Sequence, residues 1–229
     1  MRVLITSPRG KDKLVQAFKD AGAEVVSSLP ADLIIPTVDE ELPFFADNKA
    51  WFNSIGTEVM VANEFTISTC RDKAEFNLFC KRHGFLTPRT WQMECHVKPR
   101  YGKGSRGIVK VNTSHIVQEH CPFPEVSIDY FADMSGRRVS MIARYRLDVE
   151  NGESHAMQIV DNFNFYNVKR LGAELGLVGH NVIQGYWDGQ TFWFGEVNPR
   201  FGGGSWMTFP YFDSPRWLLE HACLSTKKC

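Results

Sequence analysis

The sequence has no excess of charge of either sign, since its 229 residues include 26 basic and 26 acidic side chains. A protein whose main partner is nucleic acid usually carries a basic excess, so this balance argues against that class. The sequence also lacks an apolar stretch of the roughly 18 to 20 residues that a membrane-spanning helix needs. We therefore predict a cytoplasmic chain with no nucleic-acid partner and no membrane partner.

Several common site motifs are missing as well. The six cysteines include no CxxC pair and no His/Cys cluster with zinc spacing, so a structural zinc site is not expected. No GxxxxGKS or GxxxxGKT loop occurs, which excludes the P-loop class. The chain has neither the HRD nor the DFG motif of protein kinases. A nucleotide site must therefore be built in another way.

The first 36 residues predict a small parallel α/β unit of strand, helix and strand. In such a sheet, ligands usually lie at the carboxyl ends of the strands. The loops at those ends carry candidate contacts to an acceptor substrate, with ordinary surface loops as the alternative: Ser7, Arg9, Asp39, Glu40 and Glu41.

A second unit is predicted to begin near residue 66. Thr69 lies three residues before Asp72, as in a capping box, and this spacing predicts a helix that ends at Gly84. Strand-like stretches follow, then a helix over 167–177 and a final hairpin over 180–198.

Gly102, Gly104 and Gly107 form a GxGxxG pattern. A dinucleotide-binding fold needs a helix after these glycines, but the β-branched run 108–111 predicts a strand. Strand, glycine loop and strand together indicate a flap that covers phosphates. The cations in and beside the loop suit a polyphosphate, with a solvated basic turn as the alternative: Lys98, Arg100, Lys103 and Arg106.

The segment GEVNPRFGGG places oxygen-bearing side chains at Glu196 and Asn198, and Gln184 lies on the preceding strand. A three-residue hairpin loop over 187–189 would pair Gln184 with Phe192. Phe192 and Phe194 would then share one face with the three polar side chains. Oxygen ligands on one face suit Mg²⁺, whereas the alternative is a polar, exposed strand end.

Four ordered motifs, KPRYGKGSRG, QEHCPFPE, RYR and GEVNPRFGGG, together resemble the ATP-grasp superfamily, in particular its carbamoyl-phosphate-synthetase-like branch. The resemblance implies an α/β (α+β) chain with a front domain over 1–65 and an ATP-grasp domain over 66–229. Within the latter, it implies a trimmed lid at about 90–117 and a C-terminal sheet subdomain at about 118–229.

Carried over by position, the resemblance assigns roles to individual residues. ATP phosphates would contact Lys73 and Lys98, under the flap residues Gly102, Gly104, Ser105, Arg106 and Gly107. The adenine hinge would contain Glu119 and Cys121, and Glu125 would bind the ribose. The Mg²⁺ ligands would be Gln184, Glu196 and Asn198. Arg200 would face the transferring phosphate, and Arg146, or alternatively Arg144, would stabilise an acyl phosphate.

The implied function is an ATP- and Mg²⁺-dependent ligase, with Mn²⁺ as a substitute metal, that joins a small carboxylic acid to an amine or thiol. A non-catalytic ATP-binding module and a small-molecule phosphotransferase are the alternatives, and an oligomer is compatible with either. The short lid and the Pro122–Phe123–Pro124 run in the hinge depart from the family pattern. His180 is a candidate general base, with a structural role as the alternative.

Overall fold

The computed structural model describes residues 1–101, 103–150 and 152–226. Its first unit is a parallel sheet of four strands in the order β2-β1-β3-β4, with three helices. The elements, in chain order, are β1 (Arg2–Ile5), α1 (Asp12–Asp20), β2 (Glu24–Val26), β3 (Leu33–Ile35), α2 (Leu42–Asp47), α3 (Lys49–Ser54) and β4 (Glu58–Val59). The predicted parallel α/β unit is therefore confirmed.

Two helices follow, and they correct the predicted capping box. The helix α4 (Glu64–Arg71) contains Thr69, and a new helix, α5 (Lys73–Arg82), begins after Asp72. The Asp72 carboxylate accepts hydrogen bonds from the backbone N–H groups of Ala74 and Glu75 and so caps α5. The prediction of a capping box is wrong because Asp72 is itself the N-cap of α5, whereas Thr69 is a buried residue of the preceding helix.

The segment predicted as the lid contains two small antiparallel ladders. The strands β5 (Thr90–Trp91) and β8 (Val117–Gln118) form one ladder, and β6 (Cys95–Val97) and β7 (Val109–Val111) form the other. The segment with the GxGxxG pattern connects β6 and β7, and we call these two strands and their connection the glycine hairpin. The predicted arrangement of strand, glycine-rich connection and strand is therefore confirmed. Gly104 and Gly107 have φ values of 67° and 76°, which favour glycine.

The largest element is an antiparallel sheet of five strands in the order β11-β10-β9-β12-β13. Its strands are β9 (Glu125–Ala132), β10 (Val139–Glu150), β11 (Glu153–Ile159), β12 (Gly179–Trp187) and β13 (Phe192–Asn198). The helix α6 (Tyr166–Leu175) precedes β12, close to the prediction, and buries Val168, Leu171 and Leu175. A short 3₁₀ helix (Ser205–Thr208) and α7 (Ser214–Thr226) complete the described chain.

Both faces of this sheet are covered in its centre, because alternate residues of β9 join different clusters. Ile128 and Tyr130 lie in an apolar core with α5 and α6. Phe131, on the other face, lies in a second core that includes Ile5 of β1 and Leu218 of α7. The front unit therefore packs against the C-terminal segment. Among the described residues, no helix is long and apolar enough to cross a membrane.

The contact between α6 and β9 yields a stability prediction. A methyl group at Gly172 would lie 2.4 Å from the ring of Tyr130, which is 1% exposed. Overpacking of this kind costs about 1–3 kcal/mol. Gly172→Ala should lower the free energy of unfolding by about that amount in urea denaturation, although alanine is the better helix former.

Asn167→Ala is the matched control, since Asn167 is an exposed residue of the same helix. It should change the free energy of unfolding by less than about 0.5 kcal/mol. A Gly172→Ala variant as stable as the wild type would contradict the packing of α6 on Tyr130.

Candidate functional site

The hairpin β12–β13 differs from the predicted one. Trp187 pairs with Phe192, so the loop is Asp188–Thr191 rather than the predicted 187–189. The Asp188 carboxylate accepts hydrogen bonds from the N–H groups of Gln190 and Thr191, which stabilises the longer loop. Gln184 pairs with Glu196, not with Phe192. The predicted loop and register are therefore wrong.

A β-bulge nevertheless brings the polar side chains together. The register shifts between Gln184 and Gly185, and this shift leaves Gly195 as an extra residue on β13. One extra residue reverses the alternation of the strand. Phe192 and Phe194 consequently face the apolar core, contrary to the prediction, while Glu196 lies opposite Gln184. A side chain at Gly185 would lie 2.1 Å from the Trp193 carbonyl oxygen, so this close approach requires glycine.

The three predicted metal ligands lie within contact distance of one another. Asn198 Nδ2 donates to Glu196 Oε1 at 3.3 Å. With its amide oxygen toward Arg146, Gln184 accepts from Arg146 Nη1 at 3.3 Å and donates to Glu196 Oε1 at 2.6 Å. Lys73, the first residue of α5, places its Nζ atom 2.8 Å from Glu196 Oε2. A cation therefore already neutralises this carboxylate.

All six predicted metal and catalytic residues line one polar cavity of about 220 Å³. Its lining also contains Ser127 and the three consecutive glycines at 202–204. The six residues are Arg144, Arg146, Gln184, Glu196, Asn198 and Arg200. Alternation explains this convergence for the strand residues, because residues two apart on β10, β12 and β13 point to the same face of the sheet. We call this side of the sheet the polar face. Arg200 follows the end of β13 and is hydrogen-bonded to Asp39.

The two candidate arginines of β10 have different surroundings. Arg146 donates to the Glu125 carboxylate and to the Gly152 carbonyl oxygen, so both terminal nitrogens are in use. Arg144 is 2% exposed and donates from Nε to Asp129 Oδ2 at 2.9 Å. Its Nη1 atom is buried and has no hydrogen-bond partner in the part of the chain that the structure describes. Of the two, Arg144 therefore has the unused donor beside the cavity.

Asp129 was not recognised in the sequence, yet it is the buried centre of the polar face. Its carboxylate accepts hydrogen bonds from the Ser205 hydroxyl at 2.7 Å and the Thr208 hydroxyl at 3.2 Å, and His180 Nε2 lies 3.2 Å away. Burial alone would raise the pKa of Asp129. The His180 hydrogen bond and the Arg144 charge outweigh burial and lower this pKa to about 2. An acid within the otherwise apolar run VSIDYFA was the available signal.

His180 is fully buried and belongs to this network. Its Nδ1 atom lies 2.8 Å from the Ser214 hydroxyl, and its ring stacks on Phe201 at 4.1 Å between centroids. Both ring nitrogens therefore have protein partners, an arrangement that supports the structural alternative over a general base.

The Arg200 guanidinium contacts the front unit. Its Nε atom donates to Asp39 Oδ1 at 2.9 Å, and its Nη2 atom donates to the other carboxylate oxygen. This bidentate pair occupies the side of the guanidinium that would bind a phosphate. Asp39 comes from one of the two loops predicted to carry contacts. In the second loop, Ser7 donates to Glu41 at 2.6 Å, so the two loops meet.

The remaining predicted residues are more dispersed. Lys98 and the lid residues Gly104, Ser105, Arg106 and Gly107 are exposed and do not line the cavity; Gly102 is outside the described residues. Glu119 pairs with Arg89, and Cys121 is partly buried. Glu125 joins the cavity indirectly through Arg146. Phe123 stacks on Trp193 at 4.9 Å between centroids, and this contact attaches the segment predicted as the adenine hinge to β13.

The parallel four-stranded sheet, the hairpin β6–β7 and the antiparallel five-stranded sheet define an α/β fold, and comparison with known proteins identifies its class. No family model and no curated protein matches the sequence. Many solved structures match the fold. The ADP complex of N5-carboxyaminoimidazole ribonucleotide synthetase has a TM-score of 0.67 and 12% identity, and the match covers 97% of this chain and 76% of that chain.

L-amino acid ligase from Bacillus licheniformis has a TM-score of 0.66 at 15% identity, with 96% of this chain and 73% of that chain covered. D-alanine–D-alanine ligase from Bacillus anthracis has a TM-score of 0.62 at 10% identity, with 99% and 98% covered. These are ATP-grasp structures, and the chain therefore has the ATP-grasp fold. The branch and the boundary at residues 65 and 66 stay predictions.

The low pKa of Asp129 predicts an acid-sensitive contribution to stability. The folded-state pKa of about 2 lies below the ordinary value of 3.8, so the ionised carboxyl stabilises the fold above about pH 4. This contribution, about 2 kcal/mol, is lost as the pH falls toward 2. Ser205→Ala removes one hydrogen bond that lowers the pKa. Its free energy of unfolding should therefore fall less than that of the wild type between about pH 5 and pH 2.

The measurement is urea denaturation across this pH range. Ser68→Ala is the control, because the Ser68 hydroxyl contacts only the carbonyl of Phe65 within its own helix. It should follow the wild-type curve. An acid-dependent loss in Ser205→Ala as large as that of the wild type would contradict the role of Ser205 in lowering the pKa.

The pair between Asp39 and Arg200 yields a binding prediction. Asp39→Asn should release the Arg200 guanidinium and tighten the binding of inorganic phosphate by roughly 3- to 10-fold, measured by calorimetry at fixed ionic strength. Glu40→Gln removes the same charge from the adjacent, exposed position. Equal effects of the two variants would show that overall charge, and not the Arg200 contact, controls binding.

Proposed function

We propose that this chain is an ATP-dependent ligase that activates a small carboxylic acid as an acyl phosphate and transfers the acyl group to an amine or thiol. The observation that carries the proposal is the convergence of three arginines, one carboxylate and two amides on a single polar cavity. Such a set is suited to binding and neutralising phosphoryl oxygens and a metal ion. The ligases and the ADP complex among the structural neighbours support the same reaction class.

The positions of several residues around the cavity support the nucleotide-binding part of the proposed site. Lys73 lies beside Glu196, where its ammonium group can contact a phosphate. The glycine hairpin supplies backbone that can approach phosphates closely, and Lys98 directly follows β6. Glu119, Cys121 and Glu125 lie along the segment that connects the lid to the large sheet. We assign them to the adenine and ribose, as the resemblance implies.

The donor set fits Mg²⁺. Glu196 offers a carboxylate, and Gln184 and Asn198 offer amide oxygens once their side chains turn away from each other. Among the described residues, no group of three or more His, Cys, Asp or Glu side chains could hold a metal. A single carboxylate binds Mg²⁺ weakly. The nucleotide phosphates must therefore complete the coordination of the ion, as is common for Mg²⁺. When bound, the ion supplies charge neutralisation at the phosphates.

The protein side chains then act mainly by positioning and charge. A carboxylate oxygen of the acid attacks the γ-phosphorus, and the bond to the β-phosphate oxygen breaks to release ADP. The amine nitrogen next attacks the acyl carbon and loses one proton to water, the bond from that carbon to the phosphate oxygen breaks, and inorganic phosphate leaves. Arg144 Nη1, which has no hydrogen-bond partner among the described residues, can donate to the acyl phosphate. Arg200 can contact the transferring phosphoryl group after Asp39 releases it.

Glu196→Ala tests this assignment. ADP formation over a pool of carboxylic acids and amines should fall by at least about 100-fold, because the metal loses its one carboxylate ligand and the charge on the phosphates is then neutralised less well. Circular dichroism should show an unchanged fold. The control is Glu174→Ala, which removes a carboxylate from the surface pairs with His83 and Arg170 and should keep wild-type turnover.

ADP formation by Glu196→Ala at the wild-type rate would refute the metal assignment. Omission of the amine separates ligation from the alternative of simple phosphotransfer. Without the amine, a ligase should form ADP only slowly, because its acyl phosphate is not consumed. A phosphotransferase should form ADP at the same rate with and without the amine.

A further inference from the structure

We infer that Asp129 and Ser205 are positioning residues, which hold the glycine loop 202–204 and the Arg144 guanidinium as two adjoining walls of the reaction cavity. This inference rests on the proposed function for its catalytic consequence. Its structural content depends only on contacts on the polar face and in the loop that follows β13.

The strand register explains why a single carboxylate can reach several elements. Asp129 lies in β9, the central strand, directly opposite Ile142 of β10 and Val182 of β12. Arg144 and His180 are each two residues from those partners and therefore lie diagonally across the same face. Asp129 can thus receive Arg144 from one side and His180 from the other.

Ser205 extends this network to the glycine loop. Its hydroxyl donates to Asp129 Oδ1 at 2.7 Å and accepts a hydrogen bond from the backbone N–H of Gly202 at 3.1 Å. The single hydroxyl proton of Thr208 is shared between two acceptors, the Ser205 carbonyl oxygen at 2.8 Å and Asp129 Oδ2 at 3.2 Å. The loop is therefore attached at its first glycine and at the 3₁₀ helix after it.

The glycine loop and Arg144 are in turn packed against each other. A side chain at Gly204 would lie 3.3 Å from Arg144 Nη2 and 3.4 Å from Nη1. The loop backbone thus covers one side of the guanidinium. Asp129 Oδ2 binds the Nε atom, and the unpartnered Nη1 atom remains on a side chain that lines the cavity. The orientation of this donor is consequently set by both partners.

A fully buried carboxylate is costly, and an apolar residue of similar volume is often at least as stabilising. At this position, however, Asp129 contacts four side chains from three separate segments of the chain, namely β10, β12 and the 3₁₀ helix. Loss of one hydroxyl partner should loosen the loop without removing any residue that contacts substrate. Variants that lose only a hydroxyl partner of Asp129 therefore distinguish a positioning role from direct contact with the substrate.

The experiment compares Ser205→Ala and Thr208→Val with Thr57→Val in the intact chain. Thr57 is the matched control, since its buried hydroxyl donates to the Ala31 carbonyl in the front unit, far along the chain from the cavity. Amide hydrogen exchange of the peptide that contains residues 202–204 is the first readout. We expect exchange at least 10-fold faster in Ser205→Ala and Thr208→Val, and wild-type exchange in Thr57→Val.

The second readout is the kinetics of ADP formation. Misplacement of Arg144 should lower kcat by roughly 10-fold or more, with the KM for ATP changed by less than about 3-fold, because the nucleotide contacts lie elsewhere. Thr208→Ser keeps the hydroxyl and should restore both exchange and kcat. Rescue of this kind is not expected if Thr208 acts only by filling space.

The two hypotheses fail in different ways. Unchanged loop exchange in Ser205→Ala overturns the positioning inference, whatever the enzyme does. Faster exchange with unchanged kcat also overturns it, since the loop would then not serve the reaction. A wild-type chain that forms no ADP over the substrate pool refutes the proposed function, while the exchange data still report whether Asp129 and Ser205 hold the loop.

Discussion

The β-bulge at Gly195 is the local feature on which the candidate site depends. In a regular hairpin with Trp187 opposite Phe192, Gln184 would face Gly195, and Glu196 would point into the apolar core. The extra residue instead returns Glu196 and Asn198 to the polar face and leaves Phe192 and Phe194 in the core. Because of the bulge, one strand can place two phenylalanines in the core and two oxygen-bearing side chains on the polar face. A strand with uninterrupted alternation could not do both.

The polar face also concentrates charge in a manner that requires internal neutralisation. Glu196 pairs with Lys73, Arg146 with Glu125, Arg144 with Asp129 and Arg200 with Asp39. Under the proposed function, a nucleotide and its metal would compete with several of these partners, and ligand binding would exchange one set of ion pairs for another. Asp129 is the exception because it is fully buried and held by four side chains, and it therefore belongs to the fixed frame of the site.

Much of the site could be predicted because its residues follow simple periodic rules. Glu196 and Asn198 on β13, and Arg144 and Arg146 on β10, share a face because residues two apart on a strand point to the same side. The glycine hairpin was predicted from β-branched residues after the glycines. The hairpin loop was predicted wrongly because Asp188 can cap a longer turn as well as a shorter one, and a bulge changes the register without any unusual residue other than glycine.

The sequence by itself determined the order of the elements, the ATP-grasp resemblance and the types of side chain available for the chemistry. Periodicity and short motifs carry this information locally. Only the tertiary structure decided which arginine keeps a free donor, that Asp39 covers Arg200, and that Asp129 joins three strands to the glycine loop. These contacts connect residues as far apart as 161 positions, and their partners are selected by strand order and bulge placement, which no local pattern records.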